Sequence, residues 1–228
     1  RIVDLPTGQF ATILADPPWL FENRTGKVAP EHRRLYRYHT MTNEEIISLP
    51  VSNITMPKAH LYLWVPNALV DLGLKVMAAW GFTYKTNLVW YKVRMDGGPD
   101  RRGVGFYFRN VTELVLFGVK GHMRTLDPAR SMPNIIVSRK REHSRKPDQL
   151  YDIIEQCSPA PYLELFCRVP RSGWTCWGDQ ADSYEPRKSI YTAPQPGLPH
   201  FELYTEDGVR MLEANAPYAD DEEKGSKT

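Results

Sequence analysis

Residues 10–15 read Phe-Ala-Thr-Ile-Leu-Ala, and the run stops abruptly at Asp16-Pro17-Pro18-Trp19. Six apolar or small residues suit a buried strand. The stop is stiff. Asp16 precedes a proline, which biases its backbone to the extended region. Pro17 and Pro18 have fixed φ and no N–H to donate. The chain therefore carries a carboxylate to the end of a buried strand and leaves through a rigid turn. In a sheet whose strands run mostly parallel, ligands bind at the carboxyl ends of the strands.

The rest of the chain supports such a sheet. Strands are expected at 60–65, 83–92, 113–119, 135–137, 162–167 and 174–177. Thr42-Asn43-Glu44-Glu45 has the form of a capping box opening a short helix. Asn67 is expected to cap a helix that runs to Trp80 and stops at Gly81. Pro147, at a first helical position, is expected to start a helix ending near Cys157. Strands alternating with helices predict an α/β fold with a mostly parallel sheet. Residues 22–38 form a long polar connection rich in Arg and aromatics, a length that is often functional. Residues 95–108 contain Gly97, Gly98, Pro99, Gly103 and Gly105 and read as a mobile loop.

The 228 residues suit one domain over residues 1–184, followed by an irregular acidic tail over 185–228. No apolar run reaches the roughly 18 residues of a membrane span. No signal peptide is visible. The three cysteines, Cys157, Cys167 and Cys176, are odd in number and form no Cys-x-x-Cys pair. Neither a disulfide nor a metal site is expected, and a reducing cytoplasmic home is. Net charge is only +2, but residues 85–146 hold fourteen Lys and Arg against five Asp and Glu. Such a segment suits phosphates, or equally a solvated face.

The tetrapeptide has the parts for one demanding reaction. The exocyclic amine of adenine is a poor nucleophile, because its lone pair is delocalised into the ring. Methylating it requires acceptors that hold its N–H groups and stabilise charge developing on nitrogen. Asp16 offers a carboxylate, the Pro17 carbonyl a second acceptor, and Trp19 a π-face on which a base can stack.

An ordered series of further motifs makes the chain recognisable. Tyr38-His39-Thr40-Met41, Leu63-Trp64-Val65, Gly118-Val119-Lys120-Gly121, His143-Ser144-Arg145-Lys146-Pro147-Asp148, Leu163-Glu164-Leu165-Phe166-Cys167-Arg168 and Trp177-Gly178-Asp179-Gln180 follow the Asp-Pro-Pro-Trp turn in that order. Over about Gly8 to Asp182 the chain resembles the DPPW-signature adenine-N6 methyltransferases, the messenger-RNA adenosine enzyme and its bacterial and phage relatives. The resemblance implies a single Rossmann-like class I methyltransferase domain. It is permuted so that the catalytic strand precedes the cofactor strand, and S-adenosyl-L-methionine is the methyl donor. It places Asp16, Pro17, Pro18 and Trp19 at the reaction centre. It gives Asp16, Tyr38, Lys146, Glu164, Phe166, Arg168, Asp179 and Gln180 to the cofactor. Trp19, Tyr38, Arg102, Tyr107, Arg141 and His143 are expected to meet the nucleic acid. The implied substrate is DNA in preference to RNA, in a prokaryotic or phage setting. A homodimer, or a heterodimer with a related subunit, fits the resemblance. Two other readings are weighed against this one. A silent nucleic-acid-binding subunit is expected to have lost the acidic residue, and this chain keeps Asp16. A protein-amide methyltransferase is expected to carry Asn there.

The sequence departs from the pattern in three places. Cys167 stands where Gly is common, Asp179 where Asn is common, and Val169-Pro170-Arg171 where the messenger-RNA enzyme has a ribose-contacting His-Asn pair.

Overall fold

β1 (Phe10–Ala15) is buried along its whole length, as a strand covered on both faces must be. The computed structural model describes residues 4–20, 41–94, 96–100, 107–127, 129–140 and 145–178. Around β1 the chain forms, in order, α1 (Asn43–Ser48), β2 (Thr55–Val65), α2 (Val70–Ala79), β3 (Thr83–Val93), β4 (Thr112–Lys120), β5 (Ile135–Arg139), α3 (Gln149–Cys157), β6 (Tyr162–Leu165) and β7 (Trp174–Trp177). The seven strands make one sheet in the order β5-β3-β4-β2-β1-β6-β7. β4 is antiparallel to both its neighbours, β2 and β3. Every other pairing is parallel. The fold is therefore α/β with a mixed, mostly parallel sheet, consistent with a Rossmann-like methyltransferase.

The period-two alternation of β1 sorts its side chains between two cores. Ile13 and Ala15 pack with Leu61, Leu63, Leu163, and with Ile46 of α1 and Val76 of α2. Leu14 points the other way, toward Tyr62, Trp64, Val115 and the α3 residues Leu150 and Ile154. Helices cover both faces, and the parallel strands lie inside. Their carboxyl ends converge on one edge, where Asp16 follows β1.

Local chemistry sets the helix ends. Thr42 and Glu45 form the expected capping box: the Glu45 N–H donates to Thr42 Oγ1 at 3.2 Å, and the Thr42 N–H to Glu45 Oε2 at 2.7 Å. Gly81 ends α2 at φ +85°, and the Phe82 N–H returns to the Met77 carbonyl at 3.0 Å. Asn67 does not cap α2. A 3₁₀ turn over Asn67–Leu69 precedes the helix, and the Asn67 amide donates to Thr112 instead. Pro147 lies outside α3, whose first residue is Gln149.

Two other expectations are corrected. β6 ends at Leu165, because Phe166 adopts φ +64° and turns the chain out of the strand. Cys167 and Cys176 form a disulfide, with Cα atoms 5.4 Å apart. Sequence spacing concealed this pair. β7 returns parallel to β6, with Glu164 beside Cys176, and so brings the two cysteines within bonding range. Cys157 is free and buried.

Candidate active site

Leu14 pairs with Glu164 across β1 and β6. This register sets the ends of the two strands side by side, and the turns that follow them face one another. The result is an open cleft of about 280 Å³ lined by Asp16, Trp64, Lys146, Tyr151, Glu164, Phe166 and Arg168, among others. Five expected site residues thus converge: Asp16, Lys146, Glu164, Phe166 and Arg168.

Lys146, just ahead of α3, is the centre of the charge arrangement. Its Nζ lies 2.9 Å from Glu113 Oε2 and 3.4 Å from Asp16 Oδ1, and 4.8 Å above the Trp64 ring. Burial works against its charge, but Asp16 and Glu113 outweigh burial and raise its pKa. Lys146 stays protonated. Glu113 has a second cation, for its Oε1 is bonded to Lys92. Burial pushes the Glu113 carboxyl up, yet the Lys146 and Lys92 ammonium groups overcome it and hold the pKa down to about 2. Lysine and carboxylate alternate from β3 to the end of β1: Lys92, Glu113, Lys146, Asp16.

Glu164 has the opposite character. Both its oxygens accept from the Tyr151 hydroxyl at 3.0 Å. Burial pushes its pKa up to about 7, with the nearby Asp16 charge adding to the rise; Tyr151, Arg168 and Arg171 only partly oppose it. Tyr151 is itself braced. Arg171 stacks on its ring at 4.9 Å and bonds to Asp152 and Glu155 of α3.

The rigid turn differs from expectation in two ways. Trp19 is not an open stacking face. It is 5% exposed, packed in the core beneath the turn, and its Nε1–H donates to the Trp64 carbonyl at 2.9 Å. A large ring next to a strand end buries more apolar area inward than it would at the rim. The Pro17 carbonyl is not wholly free, since it accepts the Trp19 N–H at 2.8 Å; one lone pair remains for a ligand. Pro17 is buried and Pro18 half-buried, and neither lines the cleft.

Tyr107 is 93% exposed and does not line the cleft. Tyr38, Arg102, Arg141, His143, Asp179 and Gln180 lie outside the described residues, as do the 22–38 connection, half of the 95–108 loop and the acidic tail. Among the described residues, no three His, Cys, Asp or Glu side chains gather as a metal site. No helix among them is long and apolar enough to cross a membrane.

Sequence reasoning missed Glu113, Lys92, Tyr151, Trp64 and Arg171. Glu113 and Lys92 carried one visible signal: each is a charge directly beside an apolar run of an expected strand, and such charges are almost never fully buried unless paired. Gly178 also matters. A Cβ there would meet the Cys167 carbonyl oxygen at 2.5 Å, so only glycine lets the end of β7 approach the Phe166–Cys167 turn.

Comparison with known proteins agrees with this architecture. The chain is 31% identical over 180 residues to the N(6)-adenosine-methyltransferase MT-A70-like protein of Arabidopsis thaliana, covering 76% of this chain and 24% of that one. It is 30% identical over 179 residues to the N(6)-adenosine-methyltransferase catalytic subunit of Homo sapiens, covering 77% of this chain and 29% of that one. It is 30% identical over 190 residues to the Type II methyltransferase M.MunI of Mycoplasma sp., covering 76% of this chain and 78% of that one. The chain thus spans about a quarter of the length of the plant and animal relatives, and most of the bacterial one. The MT-A70 family model matches residues 10–180, from the first residue of β1 to just past β7. The chain belongs to the MT-A70 family.

Proposed function

We propose that this protein transfers a methyl group from S-adenosyl-L-methionine to the N6 amine of adenine in nucleic acid. The observation that carries the reading is the convergence of Asp16, Lys146 and Glu164 on one cleft at the carboxyl edge of the sheet.

The residues present fit the donor. Asp16 and Lys146, 3.4 Å apart, offer one negative and one positive group to an amino-acid end that carries both charges. Glu164, at a strand end, offers two acceptor oxygens to ribose hydroxyls. Phe166 offers an apolar ring beside them. Bound S-adenosylmethionine supplies an electrophilic methyl on a sulfonium. Asp16 accepts an N6–H of the target adenine, and the second lone pair of the Pro17 carbonyl accepts the other. These fixed acceptors tighten as positive charge develops on nitrogen, so they favour the transition state over the ground state. Trp19 keeps the turn in place from below. Its placement leaves base stacking to exposed aromatics such as Tyr107.

The finer arrangement is the permuted class I form, with β1 as catalytic strand and β6 as cofactor strand. Their adjacency, despite the separation in sequence, supports it. DNA is favoured over RNA. The support is that the chain spans 78% of the Mycoplasma type II methyltransferase.

The test is incubation with radiolabelled S-adenosylmethionine and matched single- and double-stranded DNA and RNA. Label in N6-methyladenine establishes the activity and identifies the substrate. Asp16→Asn should lower kcat by about 100-fold or more, with S-adenosylhomocysteine binding still measurable by calorimetry. Full activity of that variant overturns the mechanism. Absence of both label and cofactor binding favours a silent nucleic-acid-binding subunit.

A further inference from the structure

Lys92 does not line the cleft, yet among the described residues it is one of few buried charged side chains, at 7% exposure. A buried ammonium is costly unless paired. Its partner is Glu113 on the neighbouring strand β4, and its Nζ also sits 5.0 Å from the Trp90 ring centre. β3 and β4 are antiparallel, with Trp90 opposite Glu113, so the Lys92–Glu113 pair is set by strand register. Lys92 bonds one Glu113 oxygen and Lys146 the other. With both oxygens engaged, the Glu113 carboxylate has one orientation, and that orientation fixes where Lys146 sits against Asp16.

We infer that Lys92 is a positioning residue for the methyl-transfer site, acting through Glu113 and Lys146 to hold Asp16. This rests on the reading of Asp16 given above. Lys146 sits between two carboxylates, 2.9 Å from Glu113 and 3.4 Å from Asp16. Removing Lys92 frees Glu113 to rotate and leaves its charge to Lys146 alone. Lys146 is then drawn toward Glu113 and away from Asp16. A small displacement at the reacting centre is costly in rate, up to about 100-fold per ångström.

The experiment is a double-mutant cycle of Lys92→Met and Glu113→Gln, read per folded molecule after thermal unfolding. The expected result is a kcat loss of about 10- to 100-fold for Lys92→Met, with KM for the oligonucleotide within about twofold. The double variant should be no worse than Glu113→Gln alone, because both act through one chain. The double variant leaves no uncompensated buried charge and so serves where Lys92→Met does not fold. A loss under twofold, or strict additivity, overturns the proposal. A purely structural role lowers the melting temperature without the kcat loss. A second readout needs no activity: the Lys146 ammonium protons should give slowly exchanging NMR signals in the native protein and lose them in Lys92→Met. Unchanged signals refute the inference, whatever reaction the protein catalyses. Changed signals without any methylation retain the relay and discard the proposed reaction.

Discussion

Glu164→Gln should make the protein more stable above neutral pH while impairing cofactor binding. The Glu164 carboxyl titrates at about 7 in the folded protein, against 4.5 for an ordinary glutamate. Its folded pKa is raised, so between about pH 4.5 and 7 the native state holds a proton that the unfolded state has lost. Stability therefore falls as pH rises through that window. At about 1.4 kcal/mol per unit, the accumulated cost above pH 7 is about 3 kcal/mol. Glutamine is neutral at every pH and escapes it. The exchange weakens the Tyr151 hydrogen bond, worth about 1 kcal/mol, leaving a net gain of about 2 kcal/mol at pH 8. For a domain of this size that is about 4–8 °C in Tm. Near pH 5 the two effects cancel and wild type and variant should melt together, and below it the variant should melt lower by the lost hydrogen bond, about 1 kcal/mol. The assay is thermal unfolding by circular dichroism from pH 5 to 8, with S-adenosylhomocysteine titrated at pH 8 by calorimetry. A Tm difference that does not change with pH, or a variant less stable than wild type at pH 8, refutes the reasoning. Ribose hydroxyls donate to the ionised carboxylate, so cofactor affinity should rise over the range in which the free protein loses stability.

Trp19→Phe should cost about 1 kcal/mol through loss of the bond to the Trp64 carbonyl, and Trp19→Ala about 3–5 kcal/mol. Denaturant unfolding measures both, and oligonucleotide affinity per folded molecule should not change if Trp19 is a support. The denatured, unreduced protein should titrate one thiol, Cys157; three thiols exclude the Cys167–Cys176 bond. Closing that short loop should contribute about 2–4 kcal/mol, which a dithiol should remove from the unfolding free energy.

The strands and their order along the chain were legible because apolar runs and turn residues are local signals. The capping box at Thr42 and the stop at Gly81 were legible for the same reason, since each involves groups within a few residues. Asn67 was misread because its side chain had a distant competitor in Thr112. Trp19 was misread because a motif names a residue without saying which way its ring points. The ring lies in the apolar cluster beneath the turn and bonds the Trp64 carbonyl, 45 residues away in sequence. The cysteine pair and the Lys92–Glu113–Lys146–Asp16 chain depend on which strands become neighbours and in which register.

The sequence by itself determined that Asp16 ends a buried strand in a stiff turn, and that Lys146 and Glu164 belong to one ordered set of motifs. Only the tertiary structure decided that Lys146 stands between two carboxylates, that Glu164 resists ionisation while Glu113 does not, and that the Trp19 ring lies in the core. The reason is electrostatic as much as geometric. Charge states depend on burial and on partners far apart in the chain, and neither exists until the sheet has assembled.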